Sequence, residues 1–431
     1  MKVLVIGAGG REHALAWRLI QGASVSEVLV VPGNAGTARE PGVRNVACDP
    51  NDFVALVELV RREGVELTIV GPEVPLVAGI RDAFDAHDLP CFGPSAAAAQ
   101  LEGSKSFAKD FMARHRIPTG SYATFSELQA ALDYVQAGPI PVVIKADGLA
   151  AGKGVVVAST LAQAQDALTD MLSANRFGAA GARVVVEEFL PGEEASFICL
   201  CDGTNAIAFA TSQDHKARDD GDTGPNTGGM GAYSPAPVIT PELHARVMRE
   251  IIEPTLAGMA ADGISYQGFL YAGLMIKADG SPYVIEFNCR LGDPETQPLL
   301  LRLKSDLAQL CVQALRGELK SAELEFDERA ALGVVMAAGG YPGSYPTGEL
   351  IAGLAAPAAN EESAKVFHAG TADSLAGVVT AGGRVLCVCA LGDTVAEAQQ
   401  LAYRGVEQIQ WDGAYWRRDI GYRAVQRSTN R

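Results

Sequence analysis

Short apolar runs alternate with stretches of helical period through the first hundred residues. Val3-Leu4-Val5-Ile6 breaks at Gly7 and predicts a fully buried strand over Lys2–Ile6. The run is too short for a leader peptide and no cleavage-site pattern follows it. A turn at Gly7–Gly10 precedes a helical pattern over Arg11–Gln21, with Leu15, Trp17 and Leu19 among its apolar positions. A second strand is expected at Glu27–Val31, ended by Pro32-Gly33, then a helix at Asp52–Arg62 and a strand at Leu67–Val70. This βαβαβ order predicts a parallel sheet with helices on both faces, forming a unit over residues 1–102.

The pattern then changes. Ser104–Arg114 reads as a helix, and Val142–Lys145 with Val155–Val157 as a hairpin around a glycine-rich tip. A helix is expected at Asp166–Ala174, strands at Val184–Glu188 and Ser196–Leu200, and a long helix at Pro241–Met259. Gly268–Ile276 and Tyr283–Phe287 predict two strands joined by Asp279-Gly280. Residues 103–326 therefore read as an α+β unit, with a hairpin layer at about 124–192. A third unit, 327–431, carries strands near Leu332–Ala337 and Arg384–Ala390 and a helix at Thr394–Ile409. No internal repeat is visible.

Charge narrows the classes. With 51 acids against 35 Lys+Arg the net charge is −16, which disfavours nucleic acid or an anionic membrane as partner. No apolar run reaches the length of a membrane span. The eight cysteines, Cys48, Cys91, Cys199, Cys201, Cys289, Cys311, Cys387 and Cys389, form no CxxC pair, so zinc is not expected and a cytoplasmic setting is. Glycine is abundant, 47 of 431 residues against a usual share of roughly 7%. An acidic chain that binds anions must use such loops, helix starts and a few placed cations.

Five segments carry candidate chemistry. Gly7-Ala8-Gly9-Gly10-Arg11-Glu12-His13 is a strand–turn–helix that favours a small phosphate over a plain tight turn. NAD is disfavoured, because Glu12 replaces the third glycine and Pro32-Gly33 the ribose-binding acid. Lys145-Ala146-Asp147-Gly148-Leu149-Ala150-Ala151-Gly152-Lys153-Gly154 is no Walker A, yet a glycine hairpin tip with two lysines suits a triphosphate. The strand end Val184–Glu194 could offer backbone groups to an adenine edge, or simply be an exposed acidic end. Asp214-His215-Lys216 and Gly224–Gly231 suggest a substrate loop, with a structural role for His215 equally open. In Tyr283–Glu295, Glu286 and Asn288 share a strand face suited to Mg²⁺, and Arg290 continues it.

Together these segments resemble the glycinamide ribonucleotide synthetase family of the ATP-grasp superfamily, over nearly the whole chain. The most specific are Gly9-Gly10-Arg11-Glu12-His13-Ala14, Pro32-Gly33-Asn34-Ala35-Gly36-Thr37, Gly71-Pro72-Glu73 and Arg290-Leu291-Gly292-Asp293-Pro294-Glu295. The run Asp214–Pro235 and, in the tail, Val366–Thr371 and Arg418–Gly421 add to them. The resemblance implies a Rossmann-like N-terminal sheet, a central ATP-grasp unit with a mobile hairpin lid, and a small α+β tail. It implies that ATP, glycine and 5-phosphoribosylamine give ADP, phosphate and glycinamide ribonucleotide through glycyl phosphate. Such a reaction needs positioning and charge neutralisation rather than a protein nucleophile.

Carried over by position, Gly9, Gly10, Asn34 and Thr37 are expected at the phosphoribosyl end, with Glu73 on the ribose. Lys105, Lys145 and the loop with Gly148, Gly152, Lys153 and Gly154 are expected on the ATP phosphates. Glu187, Leu190 and Glu194 are expected around adenine and ribose, and Glu286 and Asn288 on Mg²⁺ or Mn²⁺. Arg290 is expected at the acyl phosphate, Asp293 near the reacting amine or glycine, and Asp214 with Gly228-Gly229 on glycine. Leu274 stands where many ATP-grasp enzymes carry a first metal ligand, a lack this family shares. The expected working form is a monomer, with a weak homodimer as the alternative. The alternative activity is another ATP-grasp carboxylate–amine ligase or carboxylase.

Overall fold

The computed structural model describes residues 1–150, 154–173, 182–354 and 363–429. Its N-terminal sheet is parallel, in the order Val43–Asn45, Glu27–Pro32, Lys2–Gly7, Leu67–Val70, Cys91–Phe92. Along the central strand Val3 and Val5 join one apolar cluster and Leu4 and Ile6 another. The alternation of a strand thus buries both faces. Helix Gly10–Ile20 covers one face through Ala14, Leu15 and Leu19. Helix Phe53–Glu63 covers the other through Leu56, Val57, Leu59 and Val60. Asp52 caps that helix by accepting from Ala55 N at 3.0 Å, and Gly64 ends it at φ +66°. The outer strands, of three and two residues, are too short to register as a period in sequence.

A four-stranded antiparallel layer follows, in the order Tyr122–Phe125, Val184–Glu188, Val142–Ala146, Val155–Ala158. The last two strands form the expected hairpin. Helices Leu128–Ala137 and Leu161–Leu172 pack on this layer through Ala131, Val135, Leu168 and Met171. The second begins five residues before the expected Asp166, because Thr160 caps it by accepting from Gln163 N. Its first turn, Leu161-Ala162-Gln163-Ala164, carries too little apolar volume to reveal a period.

The largest sheet has eight strands. They are Pro282–Asn288, Gln267–Ile276, Glu193–Asp202, Ala206–Asp214, Gly231–Ser234, Ala330–Ala337, Arg384–Gly392 and Ala364–His368. It crosses position 326 without interruption: Ala330–Ala337 pairs with Gly231–Ser234 on one side and Arg384–Gly392 on the other. The tail is therefore knitted to the centre by backbone hydrogen bonds. The helix expected over Pro241–Met259 is helical but not uniform. A wide π-type turn, Met248–Ile252, separates Pro241–Val247 from Glu253–Ala261. It stands just before Pro254, which has no N–H to give, and the wider turn absorbs that missing bond.

Candidate active site

Two lysines and a glutamate form the floor between the hairpin layer and the large sheet. Lys145 and Glu187 lie on neighbouring strands and are both buried. Lys145 Nζ stands 3.0 Å from Glu187 Oε1, and Lys109 Nζ stands 2.9 Å from Oε2. Lys109 also donates to Thr119 Oγ1 at 2.7 Å. Charges this deep are tolerated only when paired, and one carboxylate here serves two ammonium groups. Burial lowers the Lys109 pKa against the pull of Glu187. Lys105 Nζ donates to Gly148 O at 3.0 Å and is likewise lowered by burial. Gly154 O accepts from Ala146 N at 2.8 Å, closing the base of the glycine hairpin. Gly152 and Lys153 lie outside the described residues. Leu190 is buried beside Gly120, and Glu194 pairs with Lys216.

The strand carrying Glu286, Asn288 and Arg290 owes its aim to a bulge. Gly273 pairs with Glu286 but Leu274 pairs with Val284, so Ile285 has no partner on the neighbouring strand. The bulge flips the parity, putting Val284, Phe287 and Cys289 in the core and leaving Glu286, Asn288 and Arg290 partly open. It also frees the Ile285 carbonyl, which accepts from Lys145 Nζ at 2.7 Å. Glu286 lies 3.4 Å from Lys216 Nζ. Lys216 above all, with Lys145 and Lys105 against the effect of burial, holds its carboxyl pKa down to about 2. An ionised carboxylate and an amide oxygen on one open face suit a hard divalent cation. Leu274 is fully buried among apolar side chains and offers no ligand.

Arg290 is held by two acids. Its Nη2 lies 2.8 Å from Glu102 Oε1 and its Nε 3.3 Å from Glu73 Oε2. Burial works against its charge, and Glu102 and Glu73 together raise its pKa above the ordinary value. Glu102 accepts from Cys289 N at 2.7 Å, so the same carboxylate fixes both backbone and guanidinium.

Beside this face carboxylates cluster around one lysine. Asp214, Glu194 and Glu286 surround Lys216, and Glu295 adds its charge beside Asp214. Burial pushes the Asp214 carboxyl well up, opposed by Lys216 and reinforced by Glu295, Glu194 and Glu286. Glu295 Oε1 accepts from Tyr271 at 2.9 Å and Ser196 at 3.3 Å. The Gly228-Gly229 turn is tied to the segment next to Asp214: Thr227 N donates to Lys216 O and Met230 N to His215 O, both at 2.8 Å. Gly229 sits at φ +111°, and a Cβ there would lie 2.4 Å from Pro294.

The N-terminal loop differs from a free anion cradle. Gly9 N donates to Glu12 Oε2 at 2.6 Å, and added Cβ atoms at Gly7, Gly9 or Gly71 would all strike Glu12. The residue that breaks the dinucleotide fingerprint thus fills the space beneath the loop. Gly10 is packed against Gln297. Asn34 spends its amide on Ala8 O and His368 O, both at 2.9 Å, and its oxygen on Gly36 N and Thr37 N. Thr37 is fully buried and donates to Asn45 Oδ1 at 2.7 Å. Both side chains shape the loop. The loop still adjoins the rest: a Cβ on Gly9 would lie 3.4 Å from Asp293, and Arg11 donates to Leu291 O at 3.2 Å. For Asp293, Arg384 and Arg11 outweigh burial and hold the carboxyl low.

Sequence reading missed Lys109, Glu102 and Arg384. Lys109 sits one turn after Lys105 on the same helix, and that spacing was the available signal. Glu102 reads as the end of an alanine-rich helix, and nothing local marks it.

Three models of phosphoribosylglycinamide synthetase match: the N domain over residues 1–102, the ATP-grasp (A) domain over 103–296 and the C domain over 331–423. The chain is 63% identical to a phosphoribosylamine–glycine ligase of Allochromatium vinosum, covering 99% of both. It is 64% identical to the protein of that name from Xanthomonas axonopodis pv. citri, over the same shares. Among solved structures, phosphoribosylamine–glycine ligase of Thermotoga maritima superposes with a TM-score of 0.84 at 33% identity, over 97% of this chain and 100% of that one. The biotin carboxylase domain of Hydrogenobacter thermophilus 2-oxoglutarate carboxylase, solved with MgADP and bicarbonate, shares the fold at a TM-score of 0.73 and 17% identity, over 96% and 91%. Sheet order, lysine-lined hairpin and full-length likeness agree: this chain belongs to the phosphoribosylglycinamide synthetase family, within the ATP-grasp fold.

Proposed function

We propose that this chain joins glycine to 5-phosphoribosylamine with ATP, the second step of de novo purine synthesis, giving glycinamide ribonucleotide, ADP and phosphate. The reading rests most on full-length relatives of that name at about three-fifths identity, 63% for one of them. The residues are suited to it. A glycine carboxylate oxygen attacks the γ-phosphorus, the bond to the β–γ bridging oxygen breaks, and ADP leaves. The nitrogen of phosphoribosylamine then attacks the acyl carbon of glycyl phosphate. The bond from that carbon to the phosphate oxygen breaks, and the nitrogen gives up a proton.

Lys145 and Lys105, with the hairpin that includes Gly148 and Gly154, would hold the phosphates of ATP. Glu286 and Asn288 would hold Mg²⁺ or Mn²⁺, which when bound screens phosphate charge. Arg290, fixed by Glu73 and Glu102, would face the acyl phosphate. Glu187 would act through Lys145 and Lys109 rather than by direct contact, because both its oxygens already face ammonium groups. Leu190 and Glu194 would border the nucleoside. Asp214 and the Gly228-Gly229 turn would receive glycine, and the Gly9-Gly10 loop, held in shape by Asn34 and Thr37, would receive the amine substrate together with Asp293.

We read three units, 1–102, 103–326 and 327–431, and a monomer as the working form. A cytoplasmic setting accords with eight unpaired cysteines, seven of them buried. Among the described residues no helix is long and apolar enough to cross a membrane. The test is a coupled assay of purified protein: ADP release is expected to need both glycine and freshly made phosphoribosylamine. Equal turnover with bicarbonate or other amino acids would overturn the assignment.

A further inference from the structure

Arg384 begins a strand of the tail, far in sequence from every segment assigned to the site, yet it touches two of them. Its Nη1 donates to Gly228 O at 2.6 Å and to Asp293 O at 2.6 Å, with Gly229 O at 3.5 Å. Its Nη2 lies 3.3 Å from the Asp293 carboxylate. One planar guanidinium therefore bridges the Gly228-Gly229 turn to both the backbone and the side chain of Asp293. Lysine could supply the charge but not this fork.

The surroundings are built to hold it. Met336 pairs with Leu386 but Ala337 pairs with Arg384, so Val385 is bulged and the strand turns at this residue. Gly370 and Gly382 pack backbone to backbone beneath: a Cβ on Gly370 would lie 2.5 Å from Gly382 and 2.9 Å from Arg384 O. Gly228 presents a bare backbone to the guanidinium, and a Cβ there would lie 3.1 Å from Arg384 Cζ. Tyr341 Oη accepts from Gly228 N at 3.1 Å, so the tail grips this turn twice. Asp293 in turn lies beside the Gly9 loop.

We propose that Arg384 is a positioning residue for the ligation step, setting Asp293 against the Gly228-Gly229 turn where glycine and phosphoribosylamine meet. This rests on the proposed placing of those substrates. The ATP floor of Lys145, Lys109 and Glu187 makes no contact with Arg384 among the described residues. Arg384 should thus separate the substrates.

The test uses Arg384→Lys and Arg384→Gln in the full chain, with KM for each substrate, kcat and the thermal midpoint. Expected is a rise of at least about tenfold in KM for glycine or phosphoribosylamine, a fall in kcat and an unchanged KM for ATP. Arg384→Lys should rescue little. Asp293→Asn should add little when combined with Arg384→Gln, since the two act as one unit. Wild-type kinetics in either variant, full rescue by lysine, or an equal rise in the ATP KM would overturn the proposal. So would a fall in thermal midpoint with all three KM values unchanged. If wild type itself needs neither glycine nor phosphoribosylamine, the functional assignment fails instead.

Discussion

Lys145 Nζ lies 2.7 Å from the carbonyl oxygen of Ile285, the residue expelled from pairing by the bulge beside Glu286. The hairpin layer and the strand with the metal-suited face therefore meet through one ammonium group. Lys145→Met should lose both this bond and a neutralising partner of Glu187. We expect kcat/KM for ATP to fall by about 10²-fold or more. ADP release in a coupled assay reads it, and near-normal values would remove Lys145 from the phosphate site.

Glu286 is held ionised beside Lys216, Lys145 and Lys105. Glu286→Gln keeps the shape but removes the charge. The expected result is a Mg²⁺ requirement shifted upward by about tenfold or more, since a neutral amide is a weaker ligand for a hard cation. Titration of activity with Mg²⁺ measures it. An unchanged midpoint would take Glu286 out of the metal site.

Glu12 accepts from Gly9 N and pairs with the buried Arg11 at 2.5 Å. Glu12→Gln leaves that guanidinium without its counter-charge, at an expected loss of about 1–3 kcal/mol. Denaturant unfolding followed by circular dichroism should register a lower midpoint. No change would mean that the loop does not depend on this carboxylate.

His368 is kept neutral: burial, with His13, Arg39 and Lys365 against Glu40, lowers its pKa to about 3. The unfolded chain takes up that proton near pH 6.5 while the folded chain refuses it. Stability should therefore fall as pH drops from about 6.5 toward 3, by at most about 1.4 kcal/mol per pH unit for this group. His368→Gln should flatten that slope. Thermal midpoints between pH 7 and 4 test it, and parallel curves for both proteins would count against the assignment.

The architecture was legible wherever apolar period and turn chemistry coincide. Val3–Ile6, the Asp279-Gly280 hairpin and the helix that starts at Asp52 all stand where the sequence places them. Ala206–Asp214 is illegible, because three alanines dilute its apolar half and Thr211–Asp214 end it in polar residues that read as loop. Within the site, the quoted motifs converge: Gly9 adjoins Asp293, and Lys145 reaches the strand of Glu286. What sequence could not convey is occupancy. Asn34 looks like a free binding group in a motif, yet its amide is already hydrogen-bonded within the fold, and both oxygens of Glu187 face ammonium groups. Arg384 was illegible for the converse reason: its importance comes from two loops that approach it from about 90 and 155 residues away.

The strand Ala330–Ala337 is the seam of the eight-stranded sheet. A polypeptide cut at 326 would expose a raw backbone edge on each piece. Such edges invite pairing with any available strand. Severed halves should accordingly recombine when mixed, and each alone should clump. The tail is thus a structural suture as much as an appendage, and grafting it between relatives would demand matched edges more than matched linkers.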